Sequence, residues 1–236
     1  MDAPALEDPP RCRGAAGLRA LSPRLAAILE ELGPCDALAD VCADHALLAL
    51  AAVEQGMARR ALAIDVAFDP LRRAARTLAD SEDRERVALL QGDGLAAVRR
   101  CDAVAIAGVG GDLAAALLAA SGDCAGASRL VVQPNRHADA VRSWARQTGF
   151  HLAAERVIPE AGRLHVLLTF QREAGMDPAY GAHPLEAELI LGPLLLRSTD
   201  SAALQLLRQE QARLSGLASR RPDLAVASAV LDRLLG

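Results

Sequence analysis

Lysine is absent from this 236-residue chain, and each of its 26 basic residues is an arginine. Arginine-only usage beside abundant alanine most simply reflects a GC-rich genome. Aromatic residues make up only 2% of the sequence, so a core must be built from alanine, leucine and valine. No apolar run reaches the roughly 18 residues of a membrane-crossing helix, which argues against a membrane protein. Met1 to Gly17 contains acids and three prolines but no apolar stretch of secretory type, so residues 1–20 read as a disordered leader. Cys12, Cys35, Cys42, Cys101 and Cys124 are odd in number, with no C-x-x-C spacing and no histidine cluster. That pattern argues against a zinc site or a disulfide framework. Reduced thiols in a cytoplasmic protein are the plain reading. A formal net charge of −4 does not advertise a nucleic-acid binder, although a net charge can conceal a local basic face.

What is present is alternation. Ser22-Pro23 supplies a capping hydroxyl and a proline at the first helical position, and Leu25, Ile28, Leu29 and Leu32 form one apolar face that Gly33 closes. Short apolar runs follow at Ala37–Val41, Ala61–Ile64, Val87–Leu90, Ala103–Ala107 and Leu130–Val132. Helical segments separate them: His45–Gln55, a segment capped by Asp69 and running to Leu78, Asp112–Ala120 and Ala138–Gln147. Buried strands alternating with helices predict an α/β fold with a mostly parallel sheet covered on both faces. Leu152–Val157 and Leu164–Phe170, separated by Pro159-Glu160-Ala161-Gly162, read as an antiparallel terminal hairpin. From Pro184 the pattern becomes helical, at Leu185–Leu196, around Leu204–Leu217 and at Leu224–Leu235. The second helix is expected to fold back on the first. The expected organisation is a sheet domain over 21–173 and a C-terminal helical region over 184–236.

Ligands of open parallel sheets bind at the carboxyl ends of the strands, where strand order reverses. Here those ends carry Asp40-Val41-Cys42-Ala43-Asp44, Asp65, Gly92-Asp93-Gly94 and Gly108-Val109-Gly110-Gly111. An acid after the second strand can accept ribose hydroxyls, Asp93 can accept an adenine amino group, and glycines permit close approach to backbone. Each feature alone is commonly a cap or a turn; their recurrence at successive strand ends points to a nucleoside ligand. A nicotinamide site is disfavoured, because no G-x-G-x-x-G follows the first strand.

At these residues the sequence resembles the bacterial tRNA (adenine-22-N1)-methyltransferases, S-adenosylmethionine-dependent enzymes with a Rossmann-like fold. The matching segments, in order, are Leu21-Ser22-Pro23-Arg24-Leu25, Asp40 to Ala46, Gln91 to Leu95, Ile106 to Gly111, Gln133-Pro134-Asn135 and Leu191-Gly192-Pro193. The resemblance implies that Asp40, Cys42, Ala43 and Asp44 face the methionine end of the cofactor. It implies Asp65 at the ribose and Asp93-Gly94 at the adenine. The Gly108 to Gly111 turn (with Gly110 and Gly111) and Asn135 are then expected to border the target base, with Arg136 beside them; Gln133-Pro134-Asn135 can line the base pocket or simply be a loop that ends the fifth strand. The family usually carries Gly-Ser where this chain has Cys42-Ala43, and a tyrosine where it has Leu47.

Adenine N1 already holds a free lone pair at neutral pH, so positioning rather than a strong base is expected to drive direct methyl transfer. Asp44 and Asp112 are the candidate carboxylates for the developing positive charge, with the Gly108 carbonyl and Asn135 orienting the base. His45 can orient Asp44, touch substrate or simply bond to backbone. Arg72, Arg73, Arg76, Arg136, Arg142 and Arg146 are candidate phosphate contacts or a solvated face. Two other readings suit the same residues: methylation of another RNA or small molecule, and a non-catalytic binding protein built on this fold.

Overall fold

The computed structural model describes residues 21–217 and 221–236. The leader expected over 1–20 lies outside the described residues. Helix α1 (Pro23–Leu32) precedes strand β1 (Cys35–Val41), followed by α2 (Leu47–Glu54), β2 (Ala58–Asp65), α3 (Phe68–Ala79) and β3 (Val87–Gln91). Then come β4 (Ala103–Val109), α4 (Gly111–Ala120), β5 (Arg129–Pro134) and α5 (Ala138–Arg146). The hairpin β6 (Phe150–Glu160) and β7 (Arg163–Arg172) leads to α6 (Leu185–Leu191), α7 (Ser201–Ser215) and α8 (Pro222–Leu235).

The seven-stranded sheet has the order β3-β2-β1-β4-β5-β7-β6. Its first five strands are parallel, and β7 pairs antiparallel with both β5 and β6. This is the mostly parallel Rossmann-like arrangement with a terminal hairpin that the alternation predicts. The hairpin loop narrows to Ala161-Gly162, both with positive φ (48° and 74°), because β6 runs on through Pro159-Glu160. Two left-handed residues match the twist of the paired strands.

The central strands are buried on both faces. Leu38, Ala39 and Val41 of β1 and Val104, Ala105 and Ile106 of β4 are almost inaccessible, with helices packed above and below them. Chain order turns back between β1 and β4: β2 and β3 extend the sheet one way, β4 and β5 the other. That switch point opens a crevice at the carboxyl ends of β1 and β4.

Several local expectations change. Asp69 does not cap α3; Ala67 holds the cap position, and Asp69 sits inside the first turn near Arg72. The Asp65 carboxylate instead accepts the Ala67 N–H at 2.9 Å, so the acid at the strand end shapes the turn into α3. Helix α2 begins at Leu47, leaving His45 in the preceding turn. The helix expected over Leu185–Leu196 ends at Leu191, where Gly192 turns the chain at φ 97°. The C-terminal helices close over their own core of Leu191, Leu207, Leu214, Val230 and Leu231. Helix α8 packs against both α6 and α7, while α7 lies along β6 rather than folding back on α6.

Candidate functional site

The crevice at the switch point is a cleft of about 550 Å³. Asp40, Cys42, Ala43, Asp44 and His45 line it from β1 and its turn, Asp65 from β2, and Gly108 from β4. A smaller recess of about 60 Å³ shares Cys42 and Asp65 with it and adds Gly92, Asp93, Gly94, Leu113 and Leu117. The acids and glycines of four successive strand ends, scattered over more than fifty positions of the sequence, therefore surround two adjoining spaces.

Asp40 forms the floor of the cleft. It is 4% exposed, and its carboxylate accepts the Ala49 N–H at 3.3 Å. Burial pushes its pKa up to about 7, against the pull of that hydrogen bond. Cys42 follows in left-handed backbone conformation, φ 62°, in the position where a glycine would be unstrained. Burial, and then the carboxylates of Asp65, Asp40 and Asp93, push its thiol up to about 11. Three carboxylates around one uncharged thiol make a setting for a ligand that carries positive charge and hydroxyl or amino donors. A sulfonium nucleoside with a free ammonium group meets that requirement.

Asp44 and His45 sit at the mouth. The Asp44 carboxylate is paired with the Arg73 guanidinium of α3 and lies 3.6 Å from His45 Nε2, so it is held across the cleft entrance. Asp112 likewise has a partner, His137 Nδ1 at 2.5 Å.

The expected base-facing residues fall into a second cluster beside the cleft. Gly110 caps α4, and the Gly111 N–H donates to the Arg136 carbonyl at 2.8 Å. Gln133 is wholly buried beneath the surface. Its Oε1 accepts the Gly108 N–H at 3.2 Å, and its Nε2 donates to Asn135 Oδ1 at 3.3 Å. Asn135 Nδ2 donates in turn to the Gly108 carbonyl at 2.6 Å. Both amides are thereby committed to the peptide groups of one glycine. Pro134, Asn135 and Arg136 continue into a groove of about 430 Å³ between α5, β7 and α7.

The arginine expectations divide. Arg142 is not available to phosphate: it is buried, donating to Glu155 Oε1 at 2.7 Å and to the Leu189 carbonyl at 2.7 Å. Arg146 lies over the Tyr180 ring, 4.6 Å from its centroid. Arg136 lines the groove. Sequence reasoning missed Arg24, which lines the cleft and donates to Gln133 Oε1 at 2.7 Å, and Glu160, which holds it. The signal was the Ser22-Pro23-Arg24 segment, whose helix-start grammar concealed a second role.

Among the described residues, no group of His, Cys, Asp and Glu could hold a metal ion, and no helix is long and apolar enough to cross a membrane.

Comparison with known proteins converges on the same geometry. The family model described as tRNA (adenine(22)-N(1))-methyltransferase matches residues 38–229. The tRNA (adenine(22)-N(1))-methyltransferase of Bacillus subtilis strain 168 is 34% identical over 194 residues, covering 80% of this chain and 81% of that protein. The crystal structure of the B. subtilis m1A22 tRNA methyltransferase superposes with a TM-score of 0.84 at 28% identity, covering 92% of this chain and 99% of that one. A Streptococcus pneumoniae structure in complex with S-adenosyl-L-methionine superposes with a TM-score of 0.81 at 27% identity, covering 92% and 100%. On the length of the family match and the level of identity, this chain belongs to the tRNA (adenine(22)-N(1))-methyltransferase family.

Proposed function

We propose that this chain is an S-adenosylmethionine-dependent enzyme that methylates N1 of adenine 22 in tRNA. The observation that carries the reading is the adjacency of two built features. The acid-lined cleft around Cys42 meets, at Gly108, the amide cycle of Gln133 and Asn135.

When bound, the cofactor supplies a methyl group activated on a sulfonium. Asp65 would hold its ribose hydroxyls, Asp93 and Gly94 its adenine, and Asp40, Cys42 and Ala43 its methionine end. Ionised Asp40 would balance an ammonium group in a space with little water. Adenine N1 needs no strong base, so the residues on the substrate side act by orientation. The Gly108 carbonyl and Asn135 would take the exocyclic amine, Gly110 and Pro134 would leave room for the ring, and Gly111 would hold the Gln133–His137 loop against that side. Asp44 and Asp112 would offset the charge that appears on the methylated base, with His45 and His137 as their neighbours. A base inside folded tRNA must be withdrawn from its stack, and the groove bearing Arg136 lies beside the cleft to receive the displaced strand. Residues 21–173 would form the cofactor-binding unit, with 184–236 as its helical appendage. Work on tRNA belongs in the cytoplasm.

The test is transfer of labelled methyl groups to an unmodified tRNA carrying adenine 22, beside a matched transcript with guanine there. Nucleoside mass spectrometry should find 1-methyladenosine on the first alone. Absence of product on either transcript overturns the assignment.

A further inference from the structure

We propose that Arg24 is a positioning residue: it sets which way round the Gln133 and Asn135 amides face, and with them the hydrogen-bonding polarity offered to the target base. The proposal rests on the methyltransferase reading above and names a residue that the reading does not use.

A guanidinium can only donate hydrogen bonds. Arg24 Nη1 donates to Gln133 Oε1 at 2.7 Å, beside the Gly108 N–H at 3.2 Å on the same oxygen. Two donors, one of them charged, fix the buried glutamine with its oxygen toward Arg24. Its NH2 group must then face Asn135 Oδ1, at 3.3 Å, and Asn135 must turn its own NH2 to the Gly108 carbonyl, at 2.6 Å. The relay therefore runs in one direction. Reversing Gln133 would set its NH2 against two donors, and reversing Asn135 would set an oxygen against a carbonyl. A charge-assisted bond is about twice as strong as a neutral one, so Arg24 is the stronger of the two constraints.

Direction matters because adenine and guanine present opposite edges. Adenine offers an amino donor beside the N1 acceptor, whereas guanine offers a carbonyl acceptor beside an N1–H donor. An amide of fixed orientation accepts one pattern and opposes the other, and a buried mismatch of this kind is strongly discriminating. Asn135 is exposed at the groove, while Gly108 lines the cleft, so the relay ends on the surface a base would meet.

Arg24 is itself held in place. Glu160, at the end of β6, accepts the Arg24 backbone N–H at 3.0 Å and its Nε at 3.4 Å. The pair is only about one-fifth exposed (23% and 20%). Glu160 also balances the guanidinium charge, so Arg24 can orient the amides without placing net positive charge beside a base that becomes cationic.

The test compares the full-length wild type with Arg24→Met, which removes the donors, and Arg24→Lys, which keeps one. Three readouts are taken: single-turnover methyl transfer to the adenine 22 transcript, the side-chain amide NMR signals of Gln133 in protein without ligand, and cofactor affinity by calorimetry. In Arg24→Met, transfer should fall by about 100-fold, the scale of a small misplacement of reacting groups. S-adenosylmethionine affinity by calorimetry should stay within a few-fold, and the Gln133 NH2 signals should broaden or shift. Arg24→Lys should recover much of both. Unchanged Gln133 signals in Arg24→Met overturn the proposal whatever the activity, as does wild-type transfer by that variant. Loss of cofactor binding in both variants also overturns it and makes Arg24 a cofactor contact. A wild type that methylates no tRNA would sink the functional reading alone, since the NMR comparison still decides the relay.

Discussion

The Cβ that Gly111 lacks would lie 1.9 Å from the carbonyl oxygen of His137. The turn opening α4 and the Gln133–His137 loop are thus pressed backbone to backbone, joined by the Gly111 N–H on the Arg136 carbonyl. Gly111→Ala must push the loop away. It should destabilise the protein by roughly 2–4 kcal/mol, as overpacking with a lost hydrogen bond does, and abolish most transfer activity. Chemical denaturation with a parallel activity assay checks both.

Cys42 spends conformational energy that a glycine would not. Its φ of 62° costs an L-residue about 1 kcal/mol, partly offset by the higher unfolded-state entropy of glycine. Cys42→Gly should leave the melting temperature unchanged or raise it by a few degrees without weakening cofactor binding. Cys42→Val, with a branched Cβ in the same conformation, should lower it. A destabilised Cys42→Gly protein would contradict the strain argument.

Asp40 predicts a pH dependence of defined sign. Its carboxyl is raised from 3.8 to about 7 by burial, so the folded state keeps a proton that the unfolded chain releases. This contribution therefore falls as pH climbs from about 4 to 7 and is level above that. Asp40→Asn should flatten that part of the profile and be more stable than wild type above pH 7, by roughly 1–3 kcal/mol. The same change should weaken cofactor binding, and calorimetry at pH 8 measures the loss.

Glu155 and Arg142 are both essentially inaccessible, and the other Glu155 oxygen accepts the Leu194 and Leu195 N–H groups at 2.9 and 3.2 Å. Glu155→Ala strands a buried guanidinium and should cost about 3–5 kcal/mol. Arg142→Met combined with Glu155→Gln should cost less than the sum of the two single changes by at least about 1 kcal/mol. Urea unfolding of the four proteins closes the cycle.

Much of the fold was legible because unbroken apolar strands alternating with helices leave few arrangements. Val104 to Ile106 can only be an interior strand, and Pro184 announces a change of architecture. The acids at the strand ends were legible for the same reason: Asp40 and Asp65 lie in the last residues of β1 and β2, and Asp93 just beyond β3, in a parallel sheet. What stayed hidden depends on contacts between distant segments. Arg24 and Glu160 lie 136 positions apart, and nothing local distinguishes Arg24 from any helix-start arginine. Arg142 was misjudged because periodicity on α5 does not reveal that Glu155 and the Leu191-Gly192-Pro193 turn cover it. Asp69 was misread as a cap because Asp-Pro has the right composition two residues too late.

Gly192 leaves no room for a side chain: a Cβ there would sit 2.7 Å from a Glu155 oxygen and 2.8 Å from an Arg142 nitrogen. The turn after α6 is therefore clasped to α5, which begins just beyond Asn135 and Arg136. Arg142 is the fifth of the nine residues of α5, so the turn after α6 grips that helix at its middle. Only about one turn of helix separates that grip from the loop that carries Asn135 and Arg136. A shift of the turn after α6 would therefore reach that loop with little helix between them to absorb it.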